Sequence, residues 1–105
     1  MRLPSGLQIP EDKVAALCLK WGIRRLEIFG SALTTEFAPT SDLDLLATFD
    51  NEDNLGLNFF AAATDFQNAL ARKIDLVSKE GLMQSPNKYR VRKILSSAVP
   101  IYDRA

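Results

Sequence analysis

Apolar positions along this chain change spacing several times, and each change marks an element. Val14, Leu17, Cys18 and Trp21 recur at i, i+3, i+4 and i+7, which is one face of a helix. Pro10 suits the first turn of that helix, and Gly22 predicts its end. Residues 1–9 read as a loose lead-in. From Arg24 to Phe29 polar and apolar positions alternate until the last pair, which predicts a strand ending at Gly30. Ser31 to Phe37 allow one short helical turn, and Ala38-Pro39-Thr40-Ser41 is a loop by composition.

A second strand is predicted from Asp42 to Phe49. The polar run Asp50-Asn51-Glu52-Asp53-Asn54 follows as a solvated turn and helix cap, with no catalytic role. A long helix is predicted from Leu55 to Arg72, its core stripe formed by Phe59, Ala63, Phe66 and Leu70. Lys73 to Ser78 is a third strand, Gly81 to Pro86 a connection, and Asn87 to Ala98 a last helix. Val91, Ile94, Leu95 and Ala98 share one face of that helix. Val99 to Tyr102 form an edge strand, where Pro100 is tolerated. The fold class is α/β (α+β): a small mixed β-sheet flanked by helices.

Strand polarity follows from the polar residues. Gly30-Ser31 closes the first strand, whereas Asp42 and Asp44 open the second. If they share a site, these strands run antiparallel. The long helix then returns the chain so that the third strand parallels the second. That brings Asp75 beside Asp42 and Asp44.

The chain has 105 residues, which suits a single domain over 1–105 and is too short for two. Thirteen basic residues cancel thirteen acidic ones, so no extended nucleic-acid surface is expected. A small basic pocket for one nucleotide stays compatible with that balance. No apolar run reaches the length of a membrane span, and the N-terminus lacks a signal-peptide core. A cytoplasmic location is the expectation. Cys18 is the single cysteine and there is no histidine. Serine-hydrolase triads, thiolate zinc clusters and histidine-based ribonuclease mechanisms are therefore excluded within this chain. Cys18 and Trp21 read as core residues.

Three carboxylates stand where charge is normally excluded. Asp42 and Asp44 lie in Ser41-Asp42-Leu43-Asp44-Leu45-Leu46, and Asp75 lies in Lys73-Ile74-Asp75-Leu76-Val77. A buried-edge carboxylate is costly unless it is paired, hydrogen-bonded or bound to metal. Alternation along a strand puts Asp42 and Asp44 on one face. With Asp75 they form a set of hard oxygen donors suited to magnesium, which prefers a few carboxylates together with substrate phosphates. Two such ions, about 3.5–4 Å apart, can stabilise attacking and leaving oxygens in a phosphoryl displacement. Gly30 lets a phosphate approach the backbone closely, and Ser31 can donate its hydroxyl to a phosphate oxygen. A lone D-x-D is most often a turn or a helix cap. The combination of apolar strand, Gly-Ser, Asp-x-Asp, helix and strand Asp is what points to a nucleotide–metal site.

Phe29-Gly30-Ser31 followed by Ser41-Asp42-Leu43-Asp44-Leu45-Leu46 resembles the signature of the DNA polymerase β-like nucleotidyltransferases. The short length is similar to their minimal branch, the MNT-type proteins encoded beside HEPN toxins. The similarity runs on through Arg72-Lys73-Ile74-Asp75-Leu76-Val77 to Pro100-Ile101-Tyr102. The resemblance implies transfer of a nucleoside monophosphate, AMP from ATP, to a hydroxyl of a partner protein, with the chain as antitoxin of a HEPN-type toxin. It implies that Asp42, Asp44 and Asp75 are catalytic and ligate magnesium, with Asp75 also acting as base. Gly30 and Ser31 would bind the nucleotide.

One departure bears on activity. Relatives carry a basic residue shortly after the Gly-Ser pair, whereas this chain reads Ala32-Leu33-Thr34-Thr35-Glu36. Thr34, Thr35 or Lys73 is left to take its place. Lys88, Arg90, Arg92 and Lys93 on the last helix read as a solvated face, with a phosphate or partner contact as the alternative. Two other functions fit the same residues: a non-catalytic binding antitoxin, and nucleotidyl transfer to a small molecule or RNA.

Overall fold

The computed structural model describes residues 2–35, 37–38, 40–51 and 56–104. Helix α1 spans Glu11–Trp21, and Gly22 closes it in the left-handed region at φ 68°. Strand β1 (Ile23–Phe29) runs into a 3-10 turn at Gly30–Leu33, and β2 covers Leu43–Phe49. Helix α2 (Gly56–Leu70) leads to β3 (Ile74–Ser78). The short helix α3 (Lys79–Met83), helix α4 (Lys88–Ser97) and strand β4 (Val99–Asp103) complete the chain.

The sheet order is β3-β2-β1-β4. β1 pairs antiparallel with both β2 and β4, and β2 pairs parallel with β3. The mixed sheet and its polarity agree with the sequence reading. β4 sits at the edge, so Pro100 costs the sheet little.

Alternation along the strands divides the core in two. Leu26, Ile28, Leu43, Leu45, Ala47 and Leu76 are buried with Val14 and Cys18 of α1 and Ala62 and Phe66 of α2. On the opposite face Phe29 and Leu46 are buried with Leu82 of α3 and Val91 and Ile94 of α4. Phe66 is fully buried, and its truncation to alanine would cost about 3–5 kcal/mol. Burial pushes the Cys18 thiol up to about 12, so this cysteine is a packing residue and not a nucleophile.

Several local expectations are corrected. The lead-in is not loose: Leu3 and Ile9 are buried in the larger core, and Arg2 bridges Gln8. Trp21 is half-buried, and its indole Nε1 donates to Asp65 Oδ2 at 2.8 Å. Lys20 Nζ donates to the same oxygen at 2.7 Å. These donors, Lys20 first, hold the Asp65 carboxyl below its usual range. Helix α2 stops at Leu70 rather than Arg72, because Ala71 turns into the left-handed region at φ 51°. The connection after β3 contains α3, which Ser78 caps by accepting the Gly81 N–H at 3.2 Å. Leu95 is exposed rather than packed with Val91 and Ile94. Leu55 and the acidic residues Glu52 and Asp53 lie outside the described residues.

Candidate active site

Backbone register brings the site together. Asp44 pairs across the antiparallel ladder with Phe29, the residue before Gly30. On its other side Asp44 pairs across the parallel ladder with Asp75. Ladder partners project to the same sheet face, so both carboxylates rise on the face that α4 covers further along.

Gly30 has φ +80°, and a Cβ built there would overlap Asp44 Oδ2. Only glycine meets both demands, an unusual backbone and a carboxylate pressed against it. Ser31 follows in the 3-10 turn, its carbonyl accepting the Thr34 N–H at 2.9 Å and the Thr34 hydroxyl at 2.8 Å. The turn is thereby closed beside the carboxylates.

Asp42 is placed differently from expectation. β2 begins at Leu43, so Asp42 lies one residue ahead of the strand and is exposed. Its charge still acts on Asp44. The Asp44 carboxyl is pushed up to about 6, first by burial, then by the charges of Asp75 and Asp42 and by a hydrogen bond with Asp75. Carboxylates this close repel, which disfavours the charged form of Asp44. Among the described residues no three carboxylate or thiolate side chains converge into a ready-made metal cage. What the structure offers is a tight pair, Asp44 and Asp75, with Asp42 at its margin.

A cation acts against this negative charge. Arg90 in the first turn of α4 lowers the Asp44 value by its charge. Val91 and Ile94 seat α4 on Phe29 and Leu46, and Leu46 is two residues from Asp44 on the same face. The Arg90 N–H donates to Asn87 Oδ1 at 3.1 Å, which caps the helix. Arg90 is exposed, as the solvated-face reading expects, and its effect on Asp44 fits the alternative of a phosphate contact on that helix. Lys73 lies just before β3 and is exposed. It is Arg90 whose charge acts on Asp44. No local signal separated Arg90 from its basic neighbours.

A cavity of about 460 Å³ lies elsewhere, lined by Leu7, Ile9, Leu43, Leu70 and Arg72 among others, and holds none of Gly30, Ser31, Asp42, Asp44 or Asp75. The Asp44–Asp75 pair stands on the sheet face instead.

The nucleotidyltransferase domain family matches residues 12–101, nearly the whole chain. The chain belongs to the nucleotidyltransferase family. A Methanocaldococcus jannaschii relative named "putative protein adenylyltransferase" is 30% identical over 66 residues, covering 63% of this chain and 70% of that protein. A solved structure named as a "putative minimal nucleotidyltransferase" superposes with TM-score 0.68 at 30% identity, covering 86% of this chain and 87% of the other. The fold also matches a toxin–antitoxin crystal structure with AMP-PNP (TM-score 0.69, 18% identity, 90% of this chain and 74% of that one). A further match is the Shewanella oneidensis complex of a tri-AMPylated HEPN toxin with its MNT antitoxin (TM-score 0.59, 19% identity, 89% and 69% covered). Among the described residues of this nucleotidyltransferase, no helix is long and apolar enough to cross a membrane.

Proposed function

We propose that this nucleotidyltransferase moves AMP from ATP to a hydroxyl of a partner protein, and that the partner is a HEPN-type toxin for which the chain is the antitoxin. The observation that carries the reading is the Asp44–Asp75 pair standing in register across β2 and β3, with Gly30 against an Asp44 oxygen. The antitoxin role is supported by fold neighbours described as toxin–antitoxin complexes, one with AMP-PNP and one with a tri-AMPylated toxin. The acceptor class is supported by the Methanocaldococcus jannaschii relative. The cytoplasm, where ATP is held, is the matching location.

The donor set fits magnesium bound jointly with nucleotide. Its ligands are hard oxygens, and the Asp44 carboxyl, raised first by burial and then by the charges of Asp75 and Asp42, gains from a neighbouring cation. A pair of carboxylates plus substrate phosphates is ordinary magnesium ligation. One or two ions, held by Asp44 and Asp75 with Asp42 joining from the margin, would supply charge stabilisation for the attacking and leaving oxygens.

The chain's own residues do the rest. Gly30 leaves room for the triphosphate, Ser31 donates its hydroxyl to a phosphate oxygen, and Arg90 brings positive charge from α4. Asp75 is exposed and accepts the proton of the incoming acceptor hydroxyl. That oxygen bonds to the α-phosphorus, the bond to the β-phosphate bridging oxygen breaks, and pyrophosphate leaves. The partner supplies acceptor recognition.

A second reading, a binding antitoxin that neutralises its partner by occlusion, draws on the uncharged Ala32-Leu33-Thr34-Thr35 stretch. Transfer to a small molecule or RNA is a third. The test uses ATP labelled at the α-phosphate, magnesium and the protein encoded beside this one, with mass spectrometry to locate the label. AMP on a partner hydroxyl is the expected result. Neutralisation of the partner without any label on it would overturn the transfer reading in favour of occlusion.

A further inference from the structure

Asp42 is the one carboxylate of the three that no strand ladder holds. Asp44 and Asp75 are fixed by β-pairing to each other, whereas β2 begins only at Leu43. What holds Asp42 lies in its two neighbours. The Leu43 N–H donates to the Lys73 carbonyl at 2.9 Å. The Ser41 carbonyl accepts from Arg72 Nη1 at 3.2 Å. Consecutive residues 72 and 73 therefore grip both sides of Asp42.

The Arg72 side does more than grip one atom. The same Nη1 donates to the Ala38 carbonyl at 3.2 Å. Ala38 and Ser41 are themselves closed into a turn, by Ser41 N–H to the Ala38 carbonyl at 2.9 Å and Ala38 N–H to Ser41 Oγ at 3.1 Å. The guanidinium carbon stacks 4.5 Å from the centroid of the Phe37 ring. Arg72 is anchored in turn, its N–H donating to the Gln67 carbonyl at 3.3 Å. Gln67 Oε1 accepts the Ile74 N–H at 3.2 Å, at the start of β3. A continuous set of contacts thus joins the end of α2 and the start of β3 to the turn that carries Asp42.

We propose that Arg72 is a positioning residue, which acts through Asp42 by clamping the Ala38–Ser41 turn so that this carboxylate stands beside Asp44. The proposal rests on the nucleotide-site reading above. A planar cation is needed because one group must satisfy two carbonyls and stack on a ring, which a lysine ammonium does not do. Outer contacts that orient a ligand residue are typically worth 10–100-fold in affinity.

The experiment compares the full chain with Arg72→Met, Arg72→Lys, Phe37→Leu, Asp42→Asn and the Arg72→Met/Asp42→Asn double variant. Amide hydrogen exchange is measured without ligand, and magnesium–AMP-PNP binding by titration calorimetry. Arg72→Met is expected to speed exchange at Ser41 and Leu43 and leave Leu45 and Leu46 unchanged. It is expected to weaken binding roughly tenfold, with no further loss when added to Asp42→Asn. Arg72→Lys and Phe37→Leu should fall between, and either serves if Arg72→Met does not fold. Unchanged exchange at Ser41 and Leu43 overturns the clamp, and so does a loss that adds fully to that of Asp42→Asn. If Asp42→Asn leaves binding intact, the nucleotide-site reading fails, and the clamp stands or falls on exchange alone.

Discussion

Asp44 and Asp75 face each other across the parallel β2–β3 pair. Parallel register places two like charges side by side on one face, and partial burial of Asp44 adds to the cost of its charge. A carboxyl held up to about 6 is the physical consequence, and it makes the site's charge state measurable.

The Asp44 value is raised in the folded state, so its contribution to stability is present at low pH and is lost as pH rises through about 6. Without ligand, the melting temperature should fall between about pH 4 and pH 7. Asp44→Asn should flatten that slope and stabilise the chain at about pH 7. The half-buried carboxyl is partly screened, so the gain is about 1 kcal/mol, or about 4–8 °C. Melting curves across this range are the check, and an unchanged slope in the variant would exclude Asp44 as its source.

Gly30→Ala tests the approach of backbone to carboxylate. The φ of +80° disfavours alanine, and its Cβ would run into Asp44 Oδ2. A loss of about 1–3 kcal/mol in stability is expected, together with lost nucleotide binding. Gly22→Ala is the control, since it has a similar φ of +68° but nothing within 4 Å of its Cβ. It should destabilise the fold and spare binding.

Charge at the proposed phosphate site is tested by two substitutions. Arg90→Met should weaken magnesium–AMP-PNP binding about tenfold, the worth of a charge-assisted hydrogen bond. Thr34→Arg should tighten it by a similar factor, because Thr34 is exposed at the end of the Gly30–Leu33 turn. Ala32 is unsuitable for the same experiment, being fully buried. Tight binding in the unmodified protein with no response to either change would place the needed cation elsewhere.

Asp42→Asn combined with Asp44→Asn should reduce AMP transfer at least a hundredfold, since charge stabilisation at such a centre is worth several kcal/mol. Association with the partner should persist, because docking uses a wider surface than two side chains. Co-purification alongside a transfer assay measures both. Full protection of cells by this double variant would favour occlusion over catalysis.

Much of the architecture was legible because its causes are local. The spacing of Val14, Leu17 and Cys18 marks α1, and Gly22 ends it where a left-handed residue is required. The alternation around Asp44 and Asp75 separates Leu43, Leu45 and Leu76 from the carboxylates, and the structure buries those leucines on the other face. The strand polarity followed from asking where Gly30 must stand relative to Asp44. Other features were hidden for an equally physical reason. Ala71 ends α2 in a conformation that its residue type does not announce. Leu3 and Ile9 enter the core from a stretch with no helical or strand period.

The sequence by itself determined which residues could make a carboxylate site, because residue type and strand period are written in adjacent positions. It also determined the order of the strands and of the longer helices, though not α3, and the glycine that lets a group lie against Asp44. Only the tertiary structure decided which of three aspartates form a pair, which of several cations acts on Asp44, and what holds Asp42 at the margin. Those outcomes depend on register between strands and on where α4 and Arg72 land. Such contacts join segments distant along the chain, and no local pattern encodes them.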